Sequence, residues 1–319
     1  MTEKIDKAKY PLRGVVVSLD TPFDSDGRVD FASLERLVEW HLRCGAVGFL
    51  TPARAAEVEA LTLAERLAIV ERVRDQVKGR AELIACATST LPPASTSSPA
   101  DTQAIAEAAA LLGCEGVLAE IPPPLREDRD GLIRVVEQLA AAGPPMVMIQ
   151  DLDWGRSGIP VPLIAEAFER VPPFRCLKVE VVPAGPKYTA VLEATGGRLH
   201  VSGGWAADQM IEALDRGVDV FMPTAMTGIY DKIYRAHASG DRATARHWFQ
   251  RILPILAFTR QHLDVSIHFY KRLYHHRGLF ATAATRQRTV AYDAYHARYG
   301  DELIHLLDEI EREAGLLED

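Results

Sequence analysis

Cys176-Leu177-Lys178-Val179-Glu180-Val181 is the stretch on which the fold turns. It is short and rich in apolar residues, and the longer stretch Lys187–Ala194 follows it, so it reads as a β-strand feeding a helix. Side chains alternate between the faces of a strand. Leu177, Val179 and Val181 therefore share one face, suited to a layer of helices, while Cys176, Lys178 and Glu180 share the other. Working outward in both directions, the same strand–helix rhythm repeats. Before it come Gly14–Leu19 with Phe31–Arg43, Gly48–Thr51 with Thr62–Val77, and Leu83–Ala87 with Asp101–Leu112. Gly116–Glu120 with Gly131–Ala142 and Met146–Gln150 with Val161–Arg170 complete the preceding units. After it come Leu199–Ser202 with Trp205–Asp215 and Val220–Met222 with Ile229–Ser239. Asp30 is placed to cap the first helix, and Thr62 with Glu65 forms a capping box for the second.

Eight such units with continuous apolar strands predict an α/β fold, a closed (β/α)8 TIM barrel. An open doubly wound sheet is the alternative, but its glycine-rich fingerprint is missing after the first strand. From Asp241 onward the sequence reads as helix throughout, giving a C-terminal helical appendage of three helices. The expected division is a barrel core over residues 1–228, with the last barrel helix and a helical bundle over 229–319. The Ser-, Thr- and Pro-rich segment Thr88–Pro99 follows a strand and is expected to be a loop on the catalytic face.

The chain has 319 residues, 48% hydrophobic and 25% charged, enough apolar content for one large core. With 36 basic and 44 acidic residues the formal charge is −8, and no basic run appears, which argues against nucleic acid or an anionic membrane as partner. The first ten residues are polar and charged, so no signal peptide is expected, and no run approaches the roughly 20 apolar residues of a membrane span. A cytoplasmic location is the expectation. Cys44, Cys86, Cys114 and Cys176 lie far apart without a CxxC pair, as reduced, unpaired thiols would.

In a barrel of this kind the active site lies at the C-terminal ends of the strands. A lysine in the lumen must be paired or deprotonated, because burial penalises its charge. Lys178 is thus either a neutral amine able to attack a 2-oxo carbonyl or half of an ion pair with Glu180. Gln150, Asp151 and Asp153 end the fifth strand and either contact substrate and move protons or cap the next helix. Arg54, after the second strand, either grips a carboxylate or faces solvent, and Glu57 reads as a structural hydrogen-bond acceptor. Ser202-Gly203-Gly204 is either an anion site at a helix N-terminus or a tight turn. His200 and His275-His276 lack metal-ligand spacing with a third ligand, so no metal is assigned.

Several of these segments together resemble the dihydrodipicolinate synthase/N-acetylneuraminate lyase family. Thr21-Pro22-Phe23 with Asp26-Gly27-Arg28-Val29-Asp30 resembles its opening TPF…DGxxD. Ala53–Glu57 followed by Leu61-Thr62 stands where the family has its GTTGE loop and helix cap. Gly155-Arg156-Ser157-Gly158 resembles the GRTG after strand five, Leu177-Lys178 the Schiff-base position, and Ser202-Gly203 the SG after strand seven. The resemblance spans essentially the whole chain. It implies class I aldolase or lyase chemistry on pyruvate or another 2-oxo acid, with Lys178 as the imine-forming residue, no metal or organic cofactor, and a homo-oligomer, a tetramer or a dimer.

The chain also departs from the family. The two threonines that hold the substrate carboxylate are here Arg54 and Ala55, and the proton-shuttling tyrosine of strand five is Gln150. The tyrosine pair after strand four falls at Pro123 and Pro124. Lys-Glu-Ala becomes Lys178-Val179-Glu180, which moves a carboxylate onto the lysine's face, and the Asp after SG is Gly204. An amide cannot replace a phenol as acid or base. The departures argue against both dihydrodipicolinate synthesis and sialic acid cleavage. Catalysis is then expected to run through Lys178 with Glu180, Gln150 and Asp151, and substrate binding through Arg54, Ala55, Ser202, Gly203 and Gly204. An imine-dependent dehydratase or hydratase, and a catalytically silent keto-acid or sugar-acid binder, are the alternatives.

Overall fold

A computed structural model of the chain describes residues 12–88, 99–204, 208–286 and 289–317. Its strands are β1 (Gly14–Ser18), β2 (Gly48–Thr51), β3 (Glu82–Cys86), β4 (Gly116–Glu120), β5 (Val147–Asp153), β6 (Phe174–Val181), β7 (His200–Gly203) and β8 (Val220–Phe221). The helices between them are α1 (Phe31–Arg43), α2 (Leu63–Val77), α3 (Pro99–Leu111), α4 (Arg129–Ala141), α5 (Val161–Arg170), α6 (Ala184–Ala194), α7 (Met210–Asp215) and α8 (Thr227–Ala238). Three more follow: α9 (Arg242–Thr259), α10 (Leu263–His276) and α11 (Ala294–Glu313). The strands pair in chain order and close into a barrel, the TIM barrel that the strand–helix rhythm predicts.

Local chemistry accounts for the element ends. Asp30 caps α1 by accepting the Ser33 N–H, and Thr62 and Glu65 form a complete capping box at α2, both at the positions expected from sequence. β5 runs three residues further than its apolar run suggested. Asp151-Leu152-Asp153 stays in register with Val179-Glu180-Val181, so the long strand β6 carries its neighbour along. Residues 89–98, most of the expected catalytic-face loop, and residues 205–207, the expected start of α7, lie outside the described residues.

The chain divides into two compact units, residues 1–16 with 82–222 and residues 17–81 with 223–319. The first contains β3 to β8 and helices α3 to α7, with strands buried almost without interruption. The second contains α1, β2, α2 and α8 to α11, so the helices beyond residue 229 share a unit with α1 and α2. None of the four cysteines is in a disulfide. Burial pushes the Cys44 thiol up to about 12 and raises that of Cys176.

Candidate active site

The register of the first unit sets side chains in rows across the strands. Glu120 of β4 pairs with Gln150 of β5, Gln150 with Lys178 of β6, and Lys178 with Ser202 of β7. Paired residues in a parallel sheet point to the same side, so these four form one row. The row one layer lower is Leu118, Met148, Cys176 and His200. Glu180 continues the Lys178 face one step further along β6 and is in register with Leu152.

Lys178 and Glu180 are 4% and 8% exposed, and Lys178 Nζ lies 3.4 Å from Glu180 Oε1. The Gln150 side-chain amide donates to the other oxygen, Glu180 Oε2. One carboxylate is thus shared between an ammonium and an amide. Gly204 closes over both. A methyl group placed on its Cα would overlap the Glu180 carboxylate and the Lys178 Cε where they stand, so a side chain at 204 would force both to shift. Ser202 is fully buried beside Lys178 in register, its hydroxyl 3.8 Å from Met222 Sδ.

Asp151 faces the other way. It is in register with Val179, accepts the Ile159 N–H at 2.8 Å and pairs with Lys187 of α6 at 3.0 Å. Lys187 also donates to the Ser157 carbonyl at 2.7 Å and to that of Ile159. Burial raises the Asp151 carboxyl above the ordinary range, and Lys187 opposes that rise. Together the two residues tie down the segment 155–159. Gly158, at φ +69°, leaves no room for a side chain against Asp151 and Val181. The structure therefore brings together Lys178, Glu180, Gln150, Ser202, Gly203 and Gly204, and sets Asp151 among partners of its own.

Sequence reasoning missed two further charged groups here. Arg126, just after β4, pairs with Asp153 at 3.0 Å and with Glu120 at 3.5 Å and is largely buried. The position of Glu120, two residues beyond Leu118 on the same face at the strand end, was the available signal. Lys187 carried none, because a lysine in the first turns of a helix is ordinarily solvated.

Arg54 and Ala55 lie in the second unit, in a single 3-10 turn, Arg54–Ala56. Arg54 is ion-paired with Glu59. The same unit holds a buried polar cluster. Glu57 sits in the left-handed region at φ 58° and accepts from Lys271 Nζ and, at 2.6 Å, from the Arg286 N–H. Lys271 donates in addition to the Ala284 carbonyl at 3.1 Å and lies 4.1 Å from the centre of the Phe23 ring. Arg286 makes a forked pair with Glu65, which lowers the Glu65 carboxyl to about 2. Burial holds the Asp20 carboxyl well above its usual range, against the pull of Lys271.

Residues 11–296 match the model of the Dihydrodipicolinate synthetase family. The chain belongs to that family. Among curated relatives, the 4-hydroxy-tetrahydrodipicolinate synthase of Pseudomonas aeruginosa PAO1 is 27% identical over 249 residues, 76% of this chain and 82% of that protein. That of Sorangium cellulosum is 30% identical over 190 residues, 59% of this chain and 56% of that protein. Among solved structures, the 4-hydroxy-tetrahydrodipicolinate synthase of Methylacidiphilum fumariolicum SolV superimposes with a TM-score of 0.84 at 18% identity, over 95% of this chain and 98% of that one. A prophage protein of the family from Escherichia coli K12, crystallised with pyruvate, gives 0.81 at 18% identity, over 93% and 98%. At these identities the structures bear on the fold, and the family makes the chain an aldolase/lyase-like protein. Among the described residues no helix is long and apolar enough to cross a membrane.

Proposed function

We propose that this family member is a class I lyase or aldolase that carries pyruvate or another 2-oxo acid as a Schiff base on Lys178, with Glu180 moving the protons. The observation that carries the reading is the shared carboxylate. Glu180 is within 3.4 Å of the Lys178 ammonium and is oriented by the Gln150 amide, at the position where the resemblance leads one to expect a tyrosine. Gly204 supports it further. The carboxylate that the family's pattern carries after Ser-Gly is gone, and Glu180 fills the space a side chain there would take.

The chemistry balances within the pair. A proton passes from the Lys178 ammonium to Glu180, leaving a neutral amine and a carboxylic acid with no change in net charge. The amine attacks the 2-oxo carbon, and the surplus proton on its nitrogen passes to the resulting alkoxide to give the hydroxyl of a carbinolamine. Glu180 protonates that hydroxyl, water leaves, and the iminium forms. The regenerated carboxylate then takes a proton from the adjacent carbon to give the enamine that makes a carbon–carbon bond, or assists the reverse cleavage. Gln150 does not ionise and serves to hold Glu180. Asp151 is a positioning residue, acting through segment 155–159. The same departures set dihydrodipicolinate and sialic acid aside as the product and the substrate.

Borohydride reduction in the presence of pyruvate and a panel of 2-oxo acids, read by peptide mass spectrometry, tests this. A reduced adduct on the peptide carrying Lys178 is expected, and the best-trapped acid indicates the substrate. No adduct with any acid in folded protein would replace the reading with that of a silent binder whose Lys178–Glu180 pair is structural. Water released in place of an aldehyde would make the enzyme a dehydratase using the same imine.

A further inference from the structure

Outside the barrel strands, α10 and α11 bring together three side chains with no part in the chemistry above. His276 ends α10, and His305 and Asp308 sit three residues apart on α11, hence on one face of that helix. One ligand-capable atom from each lies within 4.8 Å of the others. His276 Nε2 is 2.9 Å from Asp308 Oδ2, and the two imidazoles meet edge to face with centroids 5.4 Å apart. The expectation that His276 lacks a third ligand holds along the sequence and fails in space, because the missing ligands come from another helix.

We propose that His276, His305 and Asp308 form a zinc-class transition-metal site that staples α10 to α11. Two imidazole nitrogens and one carboxylate oxygen are the donor set that Zn2+ takes when a fourth position is left to solvent. Zinc bonds of roughly 2.0–2.1 Å put tetrahedral ligands about 3.3 Å apart. The donor atoms, all within 4.8 Å of one another, thus need only a small closing movement, and His276 and His305 are exposed.

The surroundings suit a cation. Arg277 holds the other Asp308 oxygen, Oδ1, at 3.0 Å, which fixes the carboxylate with Oδ2 towards His276. Arg277 is itself paired with Glu311 at 2.7 Å, and the neighbouring Arg272 with Asp301 at 2.6 Å, so neither guanidinium stands as an unbalanced positive charge. His275 is engaged with the Phe280 carbonyl and supplies no ligand. A groove of about 340 Å³ that both His276 and His305 line gives solvent access to the remaining position.

The test is calorimetric titration of the EDTA-stripped full chain with zinc sulfate, with thermal unfolding in parallel. One equivalent should bind and raise the melting temperature. His305→Ala, at an exposed position, should weaken binding by at least about tenfold and remove the thermal shift, while His247→Ala, also exposed, should leave both unchanged. Cobalt substitution should give a visible ligand-field spectrum in the parent that His305→Ala lacks. No saturable binding in the parent, or a His305→Ala variant that binds zinc as the parent does, would overturn the site. Trapping of 2-oxo acids on Lys178 is read independently and does not depend on the outcome.

Discussion

Two buried lysine–glutamate pairs, Lys178–Glu180 and Lys271–Glu57, join the same charges under opposite conditions. The Lys271 and Glu57 side chains are both fully buried. Glu57 also takes the Arg286 N–H, and Lys271 also takes the Ala284 carbonyl and the face of Phe23. The left-handed backbone at Glu57, unfavourable by about 1–3 kcal/mol for a residue with a side chain, persists because these partners over-determine it. Lys178 and Glu180 retain a little exposure and sit 3.4 Å apart, and Glu180 also takes the Gln150 amide. Among the described residues Lys178 Nζ has no hydrogen bond of its own beyond that contact. A saturated pair can move a proton only by breaking structure, whereas an undersaturated one can transfer it and receive a substrate. On the proposed reading, the pair with unfilled bonding capacity carries the chemistry and the saturated pair carries structure.

The largest expected difference between the pairs is in turnover. Lys178→Arg keeps the charge but cannot supply a neutral amine. It should abolish the borohydride adduct and lower kcat by more than about 10³-fold, with a melting temperature close to the parent's. Lys271→Met should do the reverse. Removing one partner of a buried pair typically destabilises by about 3–5 kcal/mol, read as a lower urea midpoint, while adduct formation per folded molecule persists. A Lys271→Met variant as stable as the parent would break the comparison.

Glu180→Gln comes next. It keeps the shape of the site but not its acid–base function, so kcat should fall by about 10²-fold or more. Unchanged turnover would transfer the proton-moving role to another group. Gly204→Ala should then lose activity through displacement of Glu180 and Lys178, with about 1–3 kcal/mol of stability lost to overpacking.

The remaining difference is in pH. His41, in the same unit as Lys271, bonds Thr227 at 2.8 Å and Tyr274 at 3.2 Å, and burial lowers its pKa from 6.5 to about 3. Its folded value lies below its unfolded one, so the stability it contributes is fully present above pH 6.5. That contribution is lost progressively as pH falls from 6.5 towards 3. Urea unfolding at a series of pH values should show that decline, and His41→Asn should flatten it. An unchanged slope would assign the acid sensitivity elsewhere.

The barrel was legible in the sequence because eight strand–helix units leave few other ways to bury their strands. The face shared by Lys178 and Glu180 was legible for a similar reason, since period-two alternation on a single strand needs no tertiary information. What escaped depended on partners far along the chain. Asp151 finds Lys187, 36 residues on by number, and Arg126 finds Asp153, so neither polar assignment follows from local pattern. The Gln150 amide reaches Glu180 only because β5 and β6 are in register. The neighbours of His276 in the proposed site were likewise placed by the packing of a later helix.

Gly204 has a consequence for descent and for engineering. Because a side chain at position 204 would enter the volume that the Glu180 carboxylate now takes, an aspartate at 204 requires Glu180 to move or to be replaced. Exchanging this chain's arrangement for the one that the family resemblance implies is therefore a coupled pair of substitutions. The order matters, because position 204 is filled most easily once position 180 has been vacated. A single-site library at 204 would find glycine fixed, while a library varying 180 and 204 together would find the second solution.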